Sequence, residues 1–221
     1  MKDNKIVEIL SSVVAIVMVQ IIFSFLLELT PLANYIGVKY EDQYYNKNIY
    51  VDGKVRSYIL EETQRSLDNI PESLRSMFYK NGGMINVTNK EYEGSYIYKS
   101  ATIKYKVVGS FYYASDEDYC INIMDNLSQI KRGTLEHEFG HYLDRLFEVV
   151  SEKKLFEDAY LNEYQNFKEY INEDNYYNDK NEYFAECFSI YINETKKLKK
   201  YCPKTYSVID LLMDDVEVCT R

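Results

Sequence analysis

The most apolar segment of the chain lies near its N-terminus. Residues 9–27 (ILSSVVAIVMVQIIFSFLL) contain no charged side chain. As a helix rising about 1.5 Å per residue, they are long enough to cross the hydrocarbon core of a bilayer. Lys2 and Lys5 precede the segment and Glu28 follows it, which favours an N-terminus in the cytoplasm. We therefore predict a cytoplasmic N-terminus over residues 1–8, a transmembrane helix or signal anchor over residues 9–27, and an extracellular remainder, which is secreted instead if the segment is cleaved.

The segments that follow differ in their pattern of apolar and polar positions. Residues 28–54 are polar and rich in tyrosine, which indicates a tether. Residues 55–69 have a helical pattern, and Pro71 can begin a second short helix that ends at the NGG sequence of residues 81–83. Residues 84–89 (MINVTN) have the composition of a strand. These signals predict two helices and a strand after the tether.

Strands precede helices in the rest of the chain. Residues 95–124 are dense in β-branched and aromatic side chains, and the turn-like sequence ASDED separates two extended runs. From residue 127 the pattern is helical almost to the end, with breaks at residues 172–181 and at Pro203. A small sheet followed by helices predicts an α+β domain over residues 55–221.

Composition limits the classes of function. With 46% apolar residues, the 221-residue chain can bury a core of its own. Its formal net charge of −9 argues against binding to nucleic acid, because neutralising phosphates requires clustered Lys and Arg. The four cysteines form no CxxC pair, so neither a Cys-ligated zinc site nor a disulfide scaffold is indicated. Cys202 and Cys219 could pair in an exported domain, although burial as small apolar side chains is the simpler interpretation.

Both histidines of the chain fall within one helical turn. His137 and His141 are four residues apart in EHEFGHYLD, so on a helix their imidazoles can bind one Zn²⁺ ion. Glu138 lies beside the first histidine, where it can reach a zinc-bound water and act as general base. The apolar residues of this stretch fall on the opposite side of the helix and are expected to pack: Leu135, Phe139, Tyr142, Leu143 and Leu146. The HExxH pattern therefore predicts a hydrolytic zinc centre.

A hydrolytic zinc site usually has three protein ligands and a water, so the pair of histidines lacks one ligand. A downstream carboxylate is the expected donor. The candidates are Glu148, Glu152, Glu157, Glu163, Glu169, Glu173, Glu182 and Glu186. Glu169 with Glu173, or Glu182 with Glu186, would place two carboxylates on adjacent turns of a helix. One acid of such a pair could bind the metal while the other accepts the free N–H of a ligating histidine.

Three blocks of the sequence resemble one family of enzymes. LEHEFGHYLD (135–144), EYFAECF (182–188) and YCPKTYSVIDLL (201–212) are similar to the lethal-factor-like zinc metalloproteases. That family includes the catalytic domain of anthrax lethal factor and the Pro-Pro endopeptidases. The resemblance implies a zincin-like α+β fold, one Zn²⁺ ion, Glu182 as the third ligand, and Glu186 as an acid that supports a ligating histidine.

The resemblance also implies residues that contact the substrate. In these families a tyrosine seven residues before the ligating glutamate stabilises the oxyanion. Here that position is Asn175, and a one-residue shift in the loop would give the role to Tyr176, with Tyr177 as a substitute. An extended peptide is expected to pair with an edge strand formed by Tyr119, Cys120, Ile121 and Asn122.

The sequence as a whole predicts a membrane-anchored zinc metalloendopeptidase with an extracellular catalytic domain and a protein or peptide substrate. In this prediction Zn²⁺ binds His137, His141 and Glu182, and Glu138 is the general base. The alternative is a non-catalytic zincin-like module that docks a protein partner. The presence of Glu138 argues for the enzyme, because a binding module has no use for a general base. A structural zinc site is a third interpretation, but such sites usually have four protein ligands and more cysteine.

Overall fold

A mixed five-stranded sheet runs through the protein, whose computed structural model describes residues 39–91, 93–98, 101–115, 118–171 and 179–220. In spatial order its strands are β1 (Lys39–Asn46), β2 (Ile49–Arg56), β3 (Met84–Thr88), β7 (Asp118–Met124) and β6 (Gly109–Ser115). A separate pair, β4 (Glu93–Tyr98) and β5 (Ala101–Lys106), is antiparallel. β6 is therefore an edge strand of the larger sheet, and within the described residues no other strand pairs with its outer side.

The register of the sheet aligns apolar side chains on one face. β2 runs parallel to β3, β3 runs parallel to β7, and β6 runs antiparallel to β7. Ile49, Ile85 and Ile121 are aligned across three strands and have no exposed surface. Because side chains alternate along a strand, every second residue of β7 is buried in the same way. This apolar face is the one against which the helices can bury their own apolar side chains.

Helices make up most of the remaining described chain. They are α1 (Ser57–Asn69), α2 (Glu72–Lys80), α3 (Leu127–Ile130), α4 (Thr134–Leu146), α5 (Lys154–Ile171), α6 (Lys180–Tyr201) and α7 (Pro203–Thr220), with a short 3₁₀ turn at Val150–Glu152. α6 is kinked at Glu194, whose φ of −141° and ψ of 43° are not helical. α4 packs against β6, β7 and α6, and so links the sheet to the C-terminal helices.

The described residues fall into two units. Tyr40–Val55 and Ile59–Arg221 form one compact unit, which contains the candidate site. Lys39 and Arg56–Tyr58 belong to the other unit, in which the Arg56 guanidinium donates a hydrogen bond to the Tyr58 hydroxyl at 3.1 Å.

The prediction of a tether over residues 28–54 is wrong from residue 39 onward, because β1 and β2 occupy this part of the chain. β2 lies between β1 and β3, and its Ile49, Val51 and Val55 have no exposed surface. The polar character of this stretch comes largely from β1, most of whose residues are exposed. The folded part of the chain therefore includes β1 and β2, upstream of the predicted boundary at residue 55.

The other predicted elements are confirmed with small shifts in their bounds. The helices predicted at residues 55–69 and after Pro71 are α1 and α2, and the strand predicted at residues 84–89 is β3. The ASDED sequence falls where β6 ends and β7 begins, and the chain from residue 127 onward contains only helices among its described elements. A sheet followed by helices is the predicted α+β arrangement.

The predicted membrane segment, residues 9–27, lies outside the described residues. Within the described ranges, no helix combines the length and the apolar character needed to span a bilayer. The cysteines are free thiols; Cys187 and Cys202 are buried and Cys219 is exposed. Burial of Cys187 and Cys202 agrees with their interpretation as small apolar side chains.

Candidate metal and catalytic site

The helix that carries both histidines is held by the side chains on its other face. The predicted apolar stripe of α4 is fully buried at Leu135, Phe139, Tyr142 and Leu143. Phe78 of α2 contacts two of these rings, with centroids 5.0 Å from each. Leu146, at the end of the stripe, is only partly buried. Since this face packs into the core, His137 and His141 lie on another side of α4, where both face Glu182 of α6.

A close approach of two helices brings the acids of α6 to the histidines of α4. A Cβ atom at Gly140 would lie 2.6 Å from Ala185 Cα and 2.9 Å from the Ala185 carbonyl oxygen. No side chain fits in this gap, so the glycine of HEFGH allows the two backbones to pack in direct contact. Glu182 and Glu186 lie within one turn of the contact point. Gly140 is thus a structural requirement that the sequence pattern alone does not reveal.

Two imidazoles and one carboxylate converge on one point. One possible ligand atom from each of His137, His141 and Glu182 lies within 4.8 Å of the other two. Among the described residues, these three side chains form the group that could hold a metal ion. Glu182 Oε2 lies 3.2 Å from His137 Nε2, and its Oε1 lies 3.8 Å from His141 Nε2. The structure therefore brings together the three residues that the sequence predicts as ligands.

Glu186 contacts the other nitrogen of the first histidine. Its Oε2 atom lies 3.0 Å from His137 Nδ1, on the far side of the ring from Glu182. A carboxylate in this position fixes the orientation and tautomer of the imidazole, leaving Nε2 as the ligand atom. Glu182 and Glu186 thus contact different nitrogens of one imidazole, a placement compatible with the roles that the resemblance implies for them.

The second histidine also has a partner, which the sequence analysis missed. The Asn181 side chain forms a hydrogen bond with the His141 imidazole. Asn181 lies in the first turn of α6, where the Asp179 carboxylate caps the helix by accepting its backbone N–H at 2.9 Å. An aspartate before a helical pattern is a recognisable cap signal. This signal could have predicted the first residue of α6, but it does not predict the contact between Asn181 and His141.

Glu138 lies against the edge of the sheet and not with the three candidate ligands. Its side chain points to β6, where it accepts a hydrogen bond from the Phe111 backbone N–H. Only 5% of Glu138 is exposed, and burial raises the pKa of its carboxyl to about 7. The nearby His137 opposes this rise and Glu182 adds to it. A carboxyl with a pKa near neutrality can both accept and return a proton.

In the metal-free cluster the first histidine is protonated and lies between two carboxylates. Burial lowers the pKa of His137, but the hydrogen bonds to Glu182 and Glu186 and the charges of Glu138 and Glu186 together raise it by more, to about 10. Burial and the cationic His137 lower the pKa of His141 to about 4. Burial raises the pKa of Glu182, but His137 lowers it by more, so this carboxyl is ionised. In the absence of metal, His137 therefore supplies the positive charge between Glu182 and Glu186.

The model of one protein family matches most of the chain. The model of the family described as "Anthrax toxin lethal factor, N- and C-terminal domain" matches residues 38–212. The chain belongs to the anthrax toxin lethal factor family. The resemblance of the three sequence blocks to lethal-factor-like proteins is thereby confirmed. The matched range includes β1 and β2, which lie before the predicted boundary at residue 55.

A solved structure places this lethal factor family member among known folds. The structure of the Pro-Pro endopeptidase PPEP-2 from Paenibacillus alvei is similar with a TM-score of 0.52 and 20% sequence identity, covering 75% of this chain and 97% of that chain. At this identity the likeness concerns the fold. No curated protein sequence matches the chain.

In this lethal factor family member, the expected position of the edge strand is wrong. Tyr119, Cys120, Ile121 and Asn122 lie in β7, which pairs with β3 on one side and β6 on the other. A strand paired on both sides has no free backbone groups for a peptide. The edge available beside α4 is β6. The sequences of β6 and β7 both have the composition of a strand. Which of them lies at the edge depends on pairing with residues distant in sequence.

Three other residues of this lethal factor family member are predicted as possible site residues: Glu163, Tyr176 and Tyr177. Glu163 is 4% exposed and accepts hydrogen bonds from the backbone N–H groups of Lys204 and Thr205 at 2.7 and 2.9 Å. It caps the start of α7 and does not belong to the group of described side chains that could hold a metal ion. Tyr176 and Tyr177, the predicted oxyanion residues, lie outside the described residues.

Proposed function

We propose that the protein is a zinc-dependent metalloendopeptidase that hydrolyses peptide bonds of extended protein substrates. The observation that carries the proposal is the convergence of His137, His141 and Glu182, with the buried Glu138 on the same helix as the two imidazoles. Membership of the lethal factor family and the structural likeness to a Pro-Pro endopeptidase support it. A glutamate as third ligand beside HExxH is the gluzincin arrangement.

The donor set fits a zinc ion. Zn²⁺ binds imidazole nitrogen at about 2.0–2.1 Å and carboxylate oxygen at about 2.0–2.2 Å, and its hydrolytic sites usually have three protein ligands. His137, His141 and Glu182 would hold the ion, while Glu186 orients the first imidazole through Nδ1. When bound, zinc supplies a Lewis acid that polarises a carbonyl and lowers the pKa of water toward about 7.

Glu138 moves the protons in the proposed reaction. Its carboxylate takes a proton from the attacking water and passes it to the nitrogen of the leaving amine. Such transfers are most effective when the pKa of the catalytic group is close to the working pH, and burial shifts the pKa of the Glu138 carboxyl upward, in that direction. Tyr176, with Tyr177 as a substitute, remains the proposed donor to the oxyanion.

The outer side of β6 is the proposed binding site for the substrate backbone. An edge strand presents unpaired N–H and C=O groups to which an extended peptide can add as a further strand. β6 also lies directly beside the general base, because Phe111 contacts Glu138. A peptide bound there would run past the catalytic carboxylate.

A non-catalytic binding module is the alternative. Burying a carboxylate costs free energy of desolvation, and a module that only docks a partner gains nothing from burying Glu138. The 5% exposure of this side chain therefore favours the enzyme. Both functions are compatible with metal binding, so hydrolysis must be measured directly.

The cellular location is proposed from the sequence. Residues 9–27 would anchor the chain in the cell membrane, with residues 1–8 in the cytoplasm and the domain from β1 onward outside. Cleavage of the segment would give a secreted protein instead.

Zinc content and peptide hydrolysis together test the proposed function. The full-length chain in detergent, its Glu138→Ala variant and a control Glu169→Ala variant are compared; Glu169 is an exposed residue of α5. We expect one zinc per chain in all three, cleavage of a peptide library by wild type and control, and loss of about 10²-fold or more in rate for Glu138→Ala. Undiminished cleavage by Glu138→Ala would show that Glu138 is not the base, and zinc binding without any wild-type cleavage would favour the binding module.

A further inference from the structure

Pairing with β7 determines which backbone groups of β6 face outward. The Met124 N–H donates to the Val108 carbonyl oxygen at 3.0 Å, and the antiparallel register continues from this pair into β6. In an antiparallel pair, residues that bond the partner strand alternate with residues whose backbone groups point away from it. The N–H and C=O groups of Gly109, Phe111 and Tyr113 therefore point to the outer side of β6.

One of these outward groups is already bound. The Phe111 N–H donates to the Glu138 carboxylate, which lies over the edge of the strand. Glu138 thus reaches the same row of backbone groups that would bind an extended peptide. The general base and the proposed peptide-binding edge are in direct contact.

Gly109 provides the space for this contact. A Cβ atom at this position would lie 2.6 Å from Glu138 Oε1 and 2.5 Å from Thr134 Cγ2. The φ angle of Gly109 is not in the left-handed region, unlike the φ angles of Gly53, Gly82 and Gly133. The backbone conformation therefore does not require a glycine at residue 109. The missing side chain is needed because the Glu138 carboxylate occupies its place.

We propose that Gly109 and the Phe111 N–H position the general base, so that the strand that binds the substrate also orients the carboxylate that activates water. Gly109 is a positioning residue in this proposal, which rests on the proposed role of Glu138. A side chain at residue 109 would push the carboxylate away from the Phe111 N–H. The rate of the chemical step would fall, while the zinc ligands and the peptide-binding edge would stay in place.

Gly109→Ala tests the proposal in a background where the added methyl group no longer collides with Thr134. Thr134→Ser deletes the Cγ2 atom that the added methyl group would meet, and it keeps the hydroxyl that donates to the Gln129 carbonyl oxygen at 2.8 Å. Against the Thr134→Ser background, we expect Gly109→Ala to lower kcat by about tenfold or more, since acid–base catalysis contributes about 10²–10⁴-fold. We expect KM and zinc content to change less than about twofold. An unchanged kcat would overturn the proposal.

A neighbouring substitution provides the control. Ser110 follows Gly109 on β6, but its side chain accepts a hydrogen bond from the Asn122 amide at 3.3 Å, on the face of the sheet opposite to Glu138. Ser110→Ala alters the same strand without changing the surroundings of the base. Its kcat should match that of wild type, and an equal loss in Ser110→Ala and Gly109→Ala would attribute both effects to the strand as a whole and contradict the proposal.

Thermal unfolding tests the same contact without any activity. In the Thr134→Ser background, Gly109→Ala should lower Tm because the added methyl group and the Glu138 carboxylate collide. In the Thr134→Ser/Glu138→Ala background the collision is gone, so the same change should no longer lower Tm. An equal loss of Tm in both backgrounds would overturn the proposal. This comparison holds even if the wild-type protein cleaves no peptide, in which case the proposed function fails and the contact is still tested.

Discussion

Glu186 and His137 are joined by a contact of 3.0 Å between Oε2 and Nδ1. The contact turns the Nε2 atom of the same ring toward Glu182, whose Oε2 lies 3.2 Å away. One histidine is thus held between two acids of α6, and each acid meets a different nitrogen. This arrangement separates the proposed ligand, Glu182, from Glu186, the acid proposed to orient the ring.

Removing the orienting acid should weaken zinc binding without abolishing it. Glu186→Ala leaves all three ligands in place but frees the His137 ring, and losses of such partners typically cost about 10–100-fold in metal affinity. Competition with a chromophoric chelator measures this value. Glu182→Ala, which removes a ligand, should cost more. Equal affinities of wild type and Glu186→Ala would contradict the assigned role.

Zinc binding should release protons at neutral pH. In the metal-free site the pKa of His137 is raised to about 10 and that of His141 is lowered to about 4. At pH 7 His137 therefore carries a proton that zinc must displace, whereas His141 does not. We expect release of at least about one proton per zinc and an affinity that falls as pH falls below about 10. Calorimetry in buffers of different ionisation enthalpy measures the release, and a heat independent of the buffer would contradict this prediction.

The contact between α4 and α6 should not tolerate a methyl group. Gly140→Ala places a Cβ atom 2.6 Å from Ala185 Cα, and overpacking of this kind costs about 1–3 kcal/mol in free energy of unfolding. Ala185→Gly should not rescue the variant, because the collision is with backbone atoms. Urea unfolding gives the free energies. A stable Gly140→Ala variant, or full rescue by Ala185→Gly, would show that the helices are farther apart than described.

The buried Glu163 should contribute to stability and not to catalysis. Its carboxylate accepts hydrogen bonds from the Lys204 N–H, the Thr205 N–H and the Thr205 hydroxyl at the start of α7. Glu163→Ala leaves these donors without a partner and should lower the free energy of unfolding by about 1–3 kcal/mol. Glu169→Ala, on an exposed position of the same helix, should change it by less than about 0.5 kcal/mol. Loss of zinc in the purified Glu163→Ala variant, with stability unchanged, would contradict this assignment.

The parts of the site that depend on helical periodicity could be predicted from the sequence. His137 and His141 are one turn apart on α4, and Glu182 and Glu186 are one turn apart on α6, so local spacing determines which side chains share a face. The pairing of the two helices does not follow from local spacing. It depends on the close contact at Gly140, which is visible only when both backbones are known.

The errors concern the sheet, whose order is set by contacts distant in sequence. Ile49, Val51 and Val55 of β2 are buried, but the polar residues around them led to the prediction of a tether instead of a strand. Tyr119–Asn122 and β6 are both extended, and only the pairing with β3 shows that β7 is interior. The same limit applies to Gly109, whose importance comes from Glu138, a residue on another element.

The central claim is that one zinc ion binds His137, His141 and Glu182, and anomalous diffraction at the zinc absorption edge tests it most directly. The account predicts a single strong peak within about 2.0–2.2 Å of both Nε2 atoms and a Glu182 oxygen, with Glu138 outside bonding distance. A peak elsewhere, or zinc bound to the histidines while the Glu182 carboxylate points away from it, would contradict the account.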